Sequence, residues 1–148
     1  MYTTVLIATD GSDLAEVAVD HGLRLTQTVG ARALFVTVTE PWPILDMAGE
    51  IERGNLDALD MHREAAERTA RKILEACAEK SRAIGVEFET RHIVDYRPAE
   101  GILVAAEERD CDIIVMASHG RRGINRMLLG SQTAEVLAHT QKPVLVLR

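Results

Sequence analysis

Four small residues, Gly120, Gly123, Gly130 and Ser131, stand where an oxyanion could be held. Glycine lets backbone N–H groups approach an oxygen without a Cβ in the way. The free amides of a first helical turn supply further donors with a partial positive charge. The apolar run Asp112 to Ala117 just before them reads as a buried strand, and Gln132 to Thr140 just after them has helical spacing. A strand, a glycine-bearing loop and a helix start in that order suit a phosphate. Each of these glycines also has an ordinary reading as a turn or cap. Ser131 is either an N-cap or a hydroxyl donor to the same anion. Arg121, Arg122 and Arg126 read either as neutralising charges for a phosphate or as a solvated loop face. Ser118 and His119 flank the strand exit. With no Cys or second His at ligand spacing, His119 is expected to pack or hydrogen-bond rather than bind metal.

A second group of interest is Asp10, directly after the apolar run Thr3 to Ala8. A carboxylate there must be solvated, paired or hydrogen-bonded. Asp10 reads either as an acceptor for a ribose hydroxyl or base amino group, or as an Asx-turn beside the helix that Ser12 caps.

The elements that must position these groups alternate. Strand Thr3–Ala8 is followed by a helix from Ser12 to a C-cap at Gly30, and strand Ala33–Val38 by a loop marked by Pro41, Trp42 and Pro43. A long helix spans about Asn55 to Ala83, and Val86–Val94 is strand-like. Pro98 opens a helix to about Glu108, strand Asp112–Ala117 and helix Ser131–Thr140 follow, and Pro143–Leu147 is the last strand. Continuous apolar strands such as Val5-Leu6-Ile7-Ala8 and Ile113-Ile114-Val115-Met116-Ala117 imply burial on both faces, hence an α/β fold with helices on both sides of an open five-stranded parallel sheet. Right-handed crossovers favour the strand order 3-2-1-4-5. Ligands in such sheets bind at the carboxyl ends where the order switches, between strands 1 and 4. Asp10 and the glycine loop therefore converge on one crevice.

At 148 residues the chain has the length of one domain spanning 1–148. The net charge of −6 and 3% aromatic content speak against nucleic acid as a partner but leave room for a single nucleotide. The opening Met-Tyr-Thr-Thr-Val-Leu-Ile has no basic or cleavage-like segment, and no run reaches the ~18 apolar residues of a membrane span. No membrane association and a cytoplasmic location are expected. Cys77 and Cys111 fall on apolar patterns and read as core residues. No Gly-x-x-x-x-Gly-Lys-Ser/Thr loop, Gly-x-Gly-x-x-Gly fingerprint or Gly-x-Ser-x-Gly elbow is present, and His21, His62, His92 and His139 are scattered. The pattern is a nucleotide site without an obvious catalytic group.

Val-Leu-Ile-Ala-Thr-Asp-Gly-Ser, Cys-Asp-Ile-Ile-Val-Met-Ala-Ser-His-Gly-Arg-Arg-Gly and Leu-Leu-Gly-Ser…Lys-Pro-Val-Leu-Val-Leu-Arg together resemble the small, single-domain universal stress proteins. Nucleotide-binding members of that family carry glycine, two residues, glycine, nine residues, then glycine with serine or threonine. Gly120 and Gly130-Ser131 match the later parts, whereas Ala117 replaces the first glycine.

The resemblance implies a Rossmann-like fold of the adenine nucleotide α-hydrolase type. It also implies an adenine nucleotide such as ATP as ligand, with Mg²⁺ or Mn²⁺ held mainly by the phosphates. Ala8, Thr9 and Asp10 then face the nucleoside, the Val38 backbone reads adenine, and Gly120, Gly130, Ser131 and the Gln132 amide cradle phosphate. A homodimer through the last strand, Val144–Leu147, is implied as well. The expected role is a stress-response sensor or regulator with at most slow ATP hydrolysis, acting on an unknown protein partner. The alternatives are a nucleotide-free regulatory protein in which Ala117 closes the phosphate site, and a nucleotide hydrolase or transferase.

Overall fold

A computed structural model describes residues 1–121 and 128–148, so Arg122, Gly123 and Arg126 lie outside the described residues. The elements run β1 (Thr4–Ala8), α1 (Asp13–Val29), β2 (Arg32–Thr39), α2 (Ile44–Glu52), α3 (Ala58–Ile84), β3 (Phe88–Val94), α4 (Pro98–Glu108), β4 (Ile113–Ala117), α5 (Ser131–His139) and β5 (Val144–Leu147). All strand pairs are parallel, and the sheet order is β3-β2-β1-β4-β5, as the apolar pattern requires. Among the described residues no helix is long and apolar enough to cross a membrane.

Strand alternation divides the core in two. Leu6, Leu34, Val36, Ile114 and Met116 point to the side covered by α4 and α5, with Ile102 and Val136. Val5, Ile7, Phe35 and Val115 point to the side covered by α1 and α3, with Val19, Leu74 and Cys77. Burial raises the thiol of Cys77 to about 12 and that of Cys111 to about 11, so both stay protonated apolar fillers. The expected caps are in place. Ser12 Oγ accepts from the Ala15 amide at 3.3 Å, Gly30 takes the left-handed conformation at φ 69°, and Pro98 lies in the first turn of α4.

The α2 helix was not foreseen between Pro43 and the long helix. It buries none of its residues and touches chiefly α3, so its apolar residues carry no core signal. A further feature sits just outside β4. The Asp112 carboxylate accepts from the Thr3 amide at 2.6 Å, the Thr3 hydroxyl at 2.8 Å and the Thr4 amide at 2.9 Å, tying β1 to β4. These bonds hold its carboxyl below the ordinary carboxylate range, with the Thr4 and Thr3 backbone amides as the main causes. A depressed carboxyl pKa contributes stability that is present above the unfolded value, about 3.9, and lost as pH falls through the folded one. Asp112→Asn should therefore cost about 1 kcal/mol at neutral pH, after allowance for solvent exposure. Paired denaturation curves should show that gap closing below about pH 4. A gap that persists in acid would assign the effect to packing.

Candidate functional site

The carboxyl ends of β1 and β4 open a crevice where the strand order reverses, as the sheet rule requires. The chain leaves β1 through Thr9, whose N–H donates to the Val36 carbonyl at 2.9 Å and whose hydroxyl accepts from the Gly11 amide at 3.2 Å. Gly11 has φ 76°, which turns the backbone sharply into α1. Asp10 stands at this turn with both carboxylate oxygens engaged. Oδ1 accepts from the Ser12 amide at 2.9 Å, and Oδ2 accepts from the Arg121 amide at 2.9 Å. The Asx-turn reading of Asp10 is thus realised, and the same side chain anchors the loop after β4. Two oxygens offer about four acceptor positions, so this arrangement leaves capacity for a ligand donor.

Gly120 is explained by space. A Cβ there would lie 2.5 Å from Asp10 Oδ2, so only glycine lets the carboxylate reach the Arg121 amide. Gly130 answers to a similar demand, since its Cβ would stand 2.8 Å from the Ser118 carbonyl oxygen and 3.2 Å from His119 Cα. The Gly130 amide donates to that carbonyl at 2.8 Å and so is not a free donor in the cradle. Thr133 Oγ1 donates to the carbonyls of Ala117 and Ser118, each at 3.0 Å, which fastens the start of α5 to the end of β4.

The next three amides, of Ser131, Gln132 and Thr133, occupy the first turn of α5. No side chain among the described residues caps them. They are the donors that the helix start presents. The Gln132 side chain turns away, its Oε1 accepting from the Ala99 amide at 2.9 Å to cap α4.

These groups line a cavity of about 520 Å³, within the range of small-molecule sites. Asp10, His119, Gly120 and Arg121 line it together with Gly130, Ser131, Gln132 and Thr133. Val38 lies on the rim, its side chain packed on the α4 side where a Cβ at Gly101 would meet it at 2.7 Å. Ala8, Thr9, Ala117 and Ser118 are not among the residues that line the cavity. Thr9 and Ser118 are almost fully buried, and Ser118 Oγ is 3.0 Å from His119 Nδ1. Gly123 lies outside the described residues.

The structure adds lining residues that sequence reasoning did not single out. Ala66, Thr69, Ala70 and Ile73 bring a face of α3 to the cavity, and Thr37, Thr39 and Glu40 come from the end of β2, with Pro98 from α4. The α3 residues were legible only as an apolar helix face. A hydroxyl at Thr37 within the apolar run Ala33 to Val38 was the available signal for the rest. Among the described residues no three His, Cys, Asp or Glu side chains are grouped to hold a metal ion.

A parallel sheet with a helix start, small residues and an acidic turn at its switch point defines an α/β protein of the open, Rossmann-like kind. The universal stress protein family model matches residues 1–148, and the chain belongs to that family. It is 36% identical over 148 residues to a universal stress protein of Thermus aquaticus, with all of both chains covered. It is 28% identical to universal stress protein MJ0531 of Methanocaldococcus jannaschii, over all of this chain and 83% of that one.

Among solved structures, hypothetical protein MJ0577 superposes with a TM-score of 0.80 at 27% identity, covering 99% of this chain and 96% of that one. A universal stress protein in complex with cAMP superposes at 0.69 with 26% identity, covering 99% and 97%.

Proposed function

We propose that this chain is an adenine-nucleotide-binding stress-response protein that works as one domain, and that ATP is its ligand. The observation that carries the reading is the first turn of α5, whose Ser131, Gln132 and Thr133 amides no described side chain caps and whose residues line one cavity with Asp10 and Arg121. A helix start of that kind favours a phosphate, and the Arg121 guanidinium, near Gly11, adds a positive charge. The complex of a related universal stress protein with cAMP supports an adenine ligand of this size. With no acidic cluster among the described residues, Mg²⁺ or Mn²⁺ enters with the phosphates.

In this reading the cavity has no assigned base for water, hydrolysis is slow or incidental, and the bound state alters contact with a partner protein. Assembly as a homodimer through β5 belongs to the same proposal.

Calorimetric titration of nucleotide-stripped protein with ATP and Mg²⁺ should show one site per chain. No heat and no thermal stabilisation at saturating ATP would sink the reading. Asp10→Ala separates the two roles of that carboxylate. Loss of the acceptor for the Ser12 and Arg121 amides should cost about 1–2 kcal/mol of stability, and loss of a nucleoside contact about 1–2 kcal/mol of affinity. Destabilisation at unchanged affinity would leave Asp10 as a turn residue only.

A further inference from the structure

The crevice carries a threonine whose hydroxyl is already shared with a group outside it. Thr39, at the end of β2, lines the cavity, and its Oγ1 lies 2.7 Å from Nε2 of His92 on the neighbouring β3. His92 faces α3 across a second surface hollow that Glu67, Arg71, Glu75 and Arg82 also line. Arg71 pairs with Glu67 at 2.9 Å and Arg82 with Glu75 at 2.8 Å, and of these groups Glu67 favours the charged imidazole. Glu89 and Arg91 pair with Arg109 and Glu108 of the α4 region, leaving His92 the titratable group of β3 on this face. On β2, Glu40 follows Thr39 at the cavity rim, and His119 faces the cavity from the far side.

We propose that His92 is a positioning residue for the bound nucleoside, setting through Thr39 whether the crevice offers a hydrogen-bond donor or only acceptors. The proposal rests on the nucleotide reading above. In the Nδ1–H tautomer, which the switch requires, the bare Nε2 of a neutral imidazole takes the Thr39 hydroxyl proton and leaves only oxygen lone pairs toward the ligand. A protonated imidazole must donate from Nε2, and the hydroxyl proton is then released to point into the cavity. Asp10 already supplies acceptor capacity there. A released Thr39 proton therefore complements the acceptor atoms of a base ring or ribose. Burial pushes the His92 imidazole below its ordinary range, opposed by Glu67, so the neutral form dominates at neutral pH. Acidification through that lowered value switches it.

Adenosine is the probe, because it lacks the phosphate charges that would act on any histidine. Calorimetry at about pH 8 and at a pH below the His92 pKa followed by NMR should show wild type binding adenosine about two- to tenfold more tightly at the lower value, the worth of one net hydrogen bond. His92→Gln and Thr39→Val should each remove that His92-linked part of the ratio. Any contribution from His119 would remain in all three proteins. By linkage, the His92 pKa followed by NMR should rise when adenosine binds wild type and stay in place in Thr39→Val. An identical pH ratio in all three proteins overturns the role of His92 alone. No adenosine binding at either pH in any of them overturns the role of Thr39 and His92, whereas the nucleotide reading falls only if the ATP titration also shows no binding.

Discussion

Gly130→Leu is expected to weaken ATP binding by at least about 100-fold, equivalent to about 3 kcal/mol. The backbone there has φ −61° and ψ 148°, which any residue adopts, so the cost is not conformational. It comes from the 2.8 Å approach of a Cβ to the Ser118 carbonyl and from His119 behind it. Those neighbours are largely backbone at the end of β4, and β4 is held between β1 and β5, so they yield little. The start of α5 must move instead. That movement breaks the Gly130 amide bond to Ser118 and strains the two Thr133 bonds that fasten the helix, and it re-aims the amides of Ser131, Gln132 and Thr133.

Stability should fall as well, by about 1–3 kcal/mol, as for other overpacked sites. Gly130→Ala, with only the Cβ, should give an intermediate loss in both quantities. Titration calorimetry and thermal denaturation on the same samples check the pair. Unchanged ATP affinity in the leucine variant would place the phosphate away from α5.

That prediction combines what the amino-acid sequence shows with what it hides. Apolar runs flanked by Asp10 and by Gly120 were enough to place two loops at one switch point, because buried parallel strands leave few topologies. The partners of those residues were not readable. Nothing local says that Asp10 binds the Arg121 amide, or that the Gly130 amide is spent on Ser118, since both bonds join segments that meet only after the sheet forms.

The wall contributed by α3 was hidden for a different reason. Helical periodicity identifies the face of Ala66, Ala70 and Ile73 but not whether it covers core or cavity. The α2 helix escaped because its Ile44 and Leu45 are 79% and 85% exposed, so the apolar pattern there marks no buried face. His92, scattered among unremarkable polar residues of β3, became informative only when the register set it beside β2.

The last expectation concerns assembly: Leu145→Lys should convert a homodimer into a monomer at about 10 μM, a concentration at which an interface of micromolar or better affinity is populated. The sheet has two outer strands, and their chemistry differs. On β3, Glu89, Arg91 and His92 put charge and polarity along the edge, a common guard against strand addition. Val144–Leu147 of β5 has no such guard, and Leu145 is 37% exposed.

The ladder shows which backbone groups remain available. Ile114 and Ser118 donate to the carbonyls of Pro143 and Leu147 at 3.0 and 2.7 Å, so those carbonyls face β4. With period-2 alternation, Leu145 also faces inward, and Val144 and Val146 turn their N–H and C=O groups to the open edge. A two-fold axis can pair that edge with itself in antiparallel fashion, each copy covering the apolar side chains of the other.

Val146→Pro tests the backbone part alone, since it removes an outward donor without touching the ladder to β4. It should weaken the dimer while circular dichroism shows the fold retained, and Leu145→Lys should abolish it with the fold also retained. Light scattering that finds wild type monomeric, or both variants as dimeric as wild type, would place any self-association elsewhere on the molecule.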